Sequence, residues 1–199
     1  HFHPTTTEEE TMAYIVLAPG SAGKSHFVKG SGRPIDLSSA QGEPPRVRGK
    51  QIAGITFVDG DDVIRDTIGW PSDPEWWKGD PAKVKEIERA IWESLVLTAA
   101  GMDDRVIILF NGKVEGDAVI ARVRIPDQLL ALNAERKAIE QQVTWRKRGQ
   151  PSNPGVVLDA ANRSDAFWDA HHRGKPQFSS FMKMVWHLAK HPPLKGARS

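Results

Sequence analysis

The sequence predicts an α/β fold, a doubly wound and mostly parallel sheet of five strands, on three observations. Short apolar runs recur along the chain, helical patterns lie between them, and a glycine-rich turn follows the first run. The runs are Ala13–Leu17, Ile52–Val58, Val106–Phe110, Ala118–Ile125 and Val156–Leu158. At 199 residues the chain can bury the core of one such domain, expected over residues 12–199.

The first strand runs into Ala18-Pro19-Gly20-Ser21-Ala22-Gly23-Lys24-Ser25, followed by a helix that Gly30 and Gly32 cut short. Residues Gly30 to Lys50 are rich in Gly, Pro and Ser, carry Arg33, Arg46, Arg48 and Lys50, and show no sustained period, so they read as a long connection. The second strand ends in Asp59-Gly60-Asp61-Asp62. Asp80 and Pro81 then open a helix to Ala100 whose apolar stripe includes Val84, Ile87, Ile91 and Leu95. After the third and fourth strands, Pro126 to about Arg148 reads as a helix with a basic end. The last helix, about Ser179 to Lys190, carries Phe181, Met184, Val185 and Leu188 at helical spacing and stops at Pro192-Pro193. Three of the seven tryptophans, Trp70, Trp76 and Trp77, follow the acidic turn and are candidates to line a pocket.

Residues 1–11 hold two His, four Thr and three Glu ahead of Met12 and read as a tail or upstream segment. A polar tail is ordered when something holds it, so it is also a candidate contact to a larger assembly. No stretch of about 18 apolar residues suggests a membrane span, and no membrane partner is expected. The absence of cysteine excludes disulfides and thiolate metal sites and fits a reducing, cytoplasmic setting. A net charge of +2 argues neither for nor against nucleic acid, so that case rests on local basic segments, Arg46 to Lys50 and Arg146 to Arg148.

The glycine-rich turn has the form of a phosphate-binding loop with Ala18 in the place of the usual first glycine. Backbone N–H groups of such a loop wrap a phosphate, its lysine reaches the β- and γ-phosphates, and its final hydroxyl joins the magnesium shell. Gly20, Ser21, Ala22, Gly23, Lys24, Ser25 and His26 are accordingly the candidate ATP-binding residues. Carboxylates at the end of the second strand fall on the sheet edge where open α/β sheets hold ligands. Asp59 and Asp62 are equally at home in turn chemistry, as short carboxylates that cap the next helix.

Val58-Asp59-Gly60-Asp61-Asp62-Val63-Ile64-Arg65 resembles the D-G-D-x-x-R segment of small P-loop kinases such as adenylylsulfate and gluconate kinases, with the arginine one residue later. Polynucleotide kinases have a related Asp-Asp turn followed by arginine. The resemblance implies Lys24 on the β/γ-phosphates, Ser25 and Asp61 at Mg2+, Asp59 or Asp61 as the base that orients the acceptor, with Asp61 favoured, and Arg65 on the acceptor's anionic group. It also implies a helical lid, about residues 126–150, whose arginines clamp the transferring phosphate. Arg136 is the first choice there, with Arg146 and Arg148 next and Arg122 and Arg124 just ahead of the lid as further members of the group, and Asp159 to Ser164 takes the place of the adenine loop. The third strand ends in Asn111-Gly112 where many P-loop ATPases have an aspartate, which disfavours a motor. His171 and His172, next to Asp169, read as a surface loop, because adjacent histidines point in different directions.

These readings predict an ATP- and Mg2+-dependent phosphotransferase that acts on a nucleoside, nucleotide or nucleic-acid acceptor, an anionic partner. The alternatives are a nucleotide-binding structural or assembly protein and an NTP hydrolase.

Overall fold

The structure is a computed structural model that describes residues 13–29, 33–36, 46–67, 69, 71–72, 76, 79–100, 102, 105–144 and 153–193. In chain order these form β1 (Tyr14–Leu17), α1 (Lys24–Lys29), β2 (Arg33–Asp36), β3 (Arg46–Ile52), β4 (Ile55–Asp59), α2 (Gly60–Thr67) and α3 (Pro81–Ala100). There follow β5 (Val106–Phe110), β6 (Val119–Val123), α4 (Asp127–Thr144), α5 (Pro154–His171), β7 (Gln177–Phe178) and α6 (Phe181–Lys190).

The fold is α/β, around a mostly parallel sheet. Among the described residues the sheet has seven strands in the order β2-β3-β4-β5-β1-β6-β7. The five from β4 to β7 in that order are parallel to their neighbours. Strands β2 and β3 form an antiparallel hairpin added to the outer edge of β4. The chain leaves β1 for β4 and β5 on one side, then crosses to β6 and β7 on the other. The carboxyl end of β1 therefore stands at the point where the strand order reverses, the ligand crevice of open α/β sheets.

Burial on both faces explains why the central strands read as unbroken apolar runs: all five residues of β5 are buried. On one face Ile15, Leu17, Val58, Ile108, Phe110 and Val119 pack with Val63 and Ile64 of α2, Ile91, Leu95 and Ala99 of α3, and Trp168 of α5. On the other, Val16, Phe57, Ile107, Leu109, Ala121 and Val123 meet Val28 of α1, Leu130 of α4, Ala161 of α5 and Met184, Val185 and Leu188 of α6. The caps are local. Asp80 accepts from the Lys83 amide at 3.2 Å, Asn153 from Gly155 at 2.8 Å with Pro154 next, and Ser180 from Lys183 at 3.2 Å.

Several expectations are corrected. Among the described residues the sheet has seven strands, not five. Val156–Leu158 lies in the first turns of α5, because the Asn153-Pro154 cap starts a helix there and Val156 faces solvent. The fifth parallel strand is instead Gln177–Phe178, two residues too short to show as an apolar run. The segment Gly30 to Lys50, read as a connection without elements, contains β2 and most of β3. The run Ile52–Val58 is not one strand. Ala53 and Gly54, at φ 51° and 78°, form a two-residue hairpin turn between β3 and β4, for which this backbone twist is favoured. The tail 1–11, Trp70, Trp77, Arg146 and Arg148 lie outside the described residues, as do the side chains of Arg33, Arg46 and Arg48.

Helix α5 is tied to the sheet edge by charge. Asp165 accepts from Arg122 Nη1 at 2.8 Å and from Arg124 Nε at 3.0 Å, Arg122 Nε donates to Gln177 at 2.6 Å, and the Arg122 guanidinium lies 5.0 Å from the Trp168 ring centroid. Burial pulls the pKa of Arg122 down and Asp165 opposes that.

At the end of α5, His172 is 2 % exposed, so the pair read as a surface loop includes a core residue. Its Nε2 bonds the Val114 carbonyl at 2.7 Å, and its buried Nδ1 has no partner. Phe167 and Trp168 flank the ring, with His171, Lys175 and Glu115 as the nearby ionisable groups. Burial holds the pKa of His172 below the ordinary 6.5; the Val114 carbonyl opposes this and Lys175 adds to it. Between the lowered value and 6.5 the unfolded chain takes up the proton more readily. The stability that neutral His172 contributes is therefore complete above 6.5 and lost as pH falls through the folded-state value. Urea midpoints should fall from pH 7 to pH 5, and His172→Gln, which keeps a donor for Val114, should flatten that decline.

Candidate functional site

The turn after β1 occupies the reversal point of the sheet. The Ala18 amide donates to Phe110 O at 2.8 Å and the Ala22 amide to Pro19 O at 3.2 Å, which folds residues 18–23 back over the ends of β1 and β5. Gly23, at φ 91°, has nothing within 4 Å of an added Cβ, so what that position requires is conformation and not space. Ser21 takes φ 62° although it is not glycine. Asn133 of α4 reaches across the fold and donates from Nδ2 to the Ser21 carbonyl at 3.0 Å, pinning this strained residue. Helix α1 starts where the Phe27 amide donates to Gly23 O, so the amides of Lys24, Ser25 and His26 precede its first helical donor.

Facing this turn is the tip of β4, where α2 begins without an intervening loop. A Cβ on Gly60 would lie 2.7 Å from the Phe110 ring and 3.1 Å from Leu109 O, and that close approach to β5 is what lets the acidic tip lean towards β1. Across the end of β5 the charged groups meet. Ser25 Oγ donates to Asp59 Oδ2 at 2.6 Å, and Lys24 Nζ stands 3.9 Å from Asp59 Oδ1 and 3.5 Å from Asp61 Oδ2. The Asp61 amide donates to Asp59 Oδ1 at 3.2 Å. Asp59 is fully buried and Lys24 nearly so, whereas the Asp61 side chain is 41 % exposed.

Of the residues singled out in the sequence, the structure brings together Gly20, Ser21, Ala22, Gly23, Lys24, Ser25, Asp59 and Asp61. Ser25 pairs with Asp59, while Asp61 faces Lys24. Asp62 is buried and accepts from Arg65 at 2.8 Å, with the Arg65 side chain 57 % exposed one turn along α2. His26 is exposed on α1. Arg136 is exposed on α4, three residues beyond Asn133, and Trp76 is half-buried against the core beneath α2 and α3.

Two expectations fail here. Arg122 and Arg124 belong to β6 and the residue after it, and their guanidiniums are committed to Asp165 and Asp127, not to a mobile lid. Asp159 to Ser164, expected as an adenine-contacting loop, is helical within α5. Sequence reasoning missed Asn133 and Asp165 altogether. A lone polar residue inside a helix has no local signature of a partner 112 positions away.

Among the described residues no three His, Asp or Glu side chains converge on one point. The paired Ser25 hydroxyl and Asp59 carboxylate are hard oxygen donors of the kind that bind Mg2+ jointly with substrate phosphates. The set can thus bind an anion beside Lys24, share a divalent cation between that anion and Ser25–Asp59, and present Asp61 to a second molecule. No protein-family model matches the chain, and no curated protein matches it.

The dependence on Gly60 is testable. Gly60→Ala should cost about 1–3 kcal/mol of unfolding free energy through overpacking against Phe110, and Gly23→Ala about 1–2 kcal/mol through backbone strain alone. Denaturant melts of the two variants check both values.

Proposed function

We propose that the chain is a P-loop phosphotransferase, which moves the γ-phosphoryl group of ATP to an acceptor hydroxyl or phosphate on a nucleoside, nucleotide or nucleic-acid end. One observation carries the reading: Lys24 and Ser25, at the exit of the glycine-rich turn after β1, meet Asp59 and Asp61 at the tip of β4, the parallel strand on the far side of β5.

In this reading the loop amides and Lys24 hold the β- and γ-phosphates. Two carboxylates beside one ammonium would repel a bare polyphosphate, so a divalent cation between them restores the charge balance. Ser25 and Asp59 are the residues to hold it, with Asp61 the further candidate, and the chemistry Mg2+ supplies there is neutralisation of the phosphate oxygens. The two carboxylates then divide the work by burial. Asp59, with its oxygens engaged by Ser25 and the Asp61 amide, keeps the metal side in order. Asp61, the more exposed of the two, accepts the acceptor's proton and aligns its oxygen with the phosphorus. Arg65, which donates from Nη2 to Asp62, offers its remaining donors to an anionic group on the acceptor. Arg136 stands on the helix that also pins Ser21 and is the nearest described arginine of that helix to the loop tether.

The experiment is transfer of labelled γ-phosphate from ATP to a panel of nucleosides, nucleotides and oligonucleotides with Mg2+. Lys24→Ala should abolish ATP binding measured by calorimetry. Asp61→Asn should keep ATP affinity and lower kcat by about 10²- to 10⁴-fold. ATP binding with no transfer to any acceptor would sink the phosphotransferase and favour a nucleotide-binding assembly protein, and turnover with water alone would favour a hydrolase. A second measurement addresses the loop. Asn133→Ala should raise the Kd for ATP about tenfold, the worth of roughly one hydrogen bond, and Ser21→Gly, for which the left-handed backbone is unstrained, should restore most of that loss.

A further inference from the structure

Charge is unevenly distributed along this nearly neutral chain. Residues 170–199 contain six Lys and Arg and not one Asp or Glu, whereas the preceding 169 residues hold 21 Lys and Arg against 25 Asp and Glu. Helix α6 lies in the middle of that basic stretch. Its apolar face, Phe181, Met184, Val185 and Leu188, is buried against the sheet. Its opposite face presents Met182, Lys183, Trp186, Ala189 and Lys190 at helical spacing within about a third of the circumference, all exposed. Trp186 is 64 % exposed and Met182 50 %. Lys183 Nζ donates to the Ser179 hydroxyl at 2.9 Å, a neutral acceptor, and among the described residues neither Lys183 nor Lys190 meets a carboxylate.

An indole left in solvent between two uncompensated ammonium groups is a stacking platform beside a phosphate track. We infer that this face of α6 binds single-stranded nucleic acid, with a base stacked on Trp186 and backbone phosphates on Lys183 and Lys190. Such a face suits a strand better than a lipid surface. A membrane-lying helix needs a broad apolar face to insert, and the broad apolar face of α6 is already occupied by the core. Its position is also informative. Phe181, at the start of α6, stacks on Phe27 of α1 with centroids 5.0 Å apart, two residues beyond Ser25. The basic face therefore begins at the sheet edge that carries the Lys24–Asp59–Asp61 cluster. The inference does not depend on phosphoryl transfer, since it concerns binding alone.

The test is fluorescence anisotropy of a dye-labelled oligothymidine of about 20 nucleotides with the full chain, with neither nucleotide triphosphate nor Mg2+ present. Binding is expected to weaken linearly in log–log plots against salt. Trp186→Ala should raise Kd about tenfold by loss of stacking, and Lys183→Gln combined with Lys190→Gln should reduce the salt slope by about 1.4. All three side chains are exposed, so thermal melts of the variants should match the parent. Lys85→Gln, at an exposed position of α3, should bind the oligonucleotide as the parent does. The inference is overturned if the parent does not bind at low salt, or if the α6 variants bind like the parent. A loss of binding in Lys85→Gln equal to that in the α6 lysine variants, which would mark general charge attraction, also overturns it. So does binding to phosphatidylserine vesicles with none to the oligonucleotide.

Discussion

One buried carboxylate holds the two halves of the site in register. Asp59 is removed from water, and its oxygens are met by the Ser25 hydroxyl and the Asp61 amide, with the Lys24 ammonium close by. Leaving such a group unpartnered would be strongly destabilising. The turn after β1 and the tip of β4 are consequently not independent surface loops. They are two ends of one polar network that spans the carboxyl end of β5, and neither can shift without exposing or orphaning the other.

The surrounding architecture supplies the rigidity that network needs. Strand β5, buried throughout, lies between the two tips and sets them two strand spacings apart, and Gly60 lets α2 begin against Phe110 with no loop to add slack. The strained Ser21 is held from the far side by Asn133, whose helix α4 is anchored in the core through Leu130 and Ala134. Strain at the turn is thus balanced by packing elsewhere, an arrangement common where a backbone must keep one shape for a ligand. The same economy appears at β6, where one carboxylate, Asp165, organises two arginines and fixes α5 to the sheet.

The two faces of α6 give that helix separate duties. The inner face closes the core beside α1, and stacking of Phe181 on Phe27 joins it to the helix that carries Lys24 and Ser25. The outer face continues the basic, acid-free end of the chain. Charges that would cancel in a total of +2 are segregated along the sequence, which is why the overall balance says little about partners.

The amino-acid sequence by itself determined the features whose cause is local. The central strands β1 and β5 are legible because burial on both faces requires continuous apolar runs. Helices α3 and α6 are legible because their stripes recur at helical spacing between a cap and a stop. The turn Ala18–Ser25 and the acidic tip Asp59–Asp62 are legible because each demands glycine or short carboxylates at consecutive positions. Only the tertiary structure decided the rest. Val156–Leu158 could be strand or helix until the Asn153 cap and its packing chose helix, and Gln177–Phe178 became a strand solely because β6 offers an edge. The hairpin turn at Ala53-Gly54 lacks a customary turn pair and is set by strand pairing. That Ser25 bonds Asp59, Asn133 reaches Ser21, and Arg122 and Arg124 share Asp165 depends on chain segments dozens of residues apart meeting in space. A side chain's type limits which partners it can satisfy, but the fold alone brings one of them within reach.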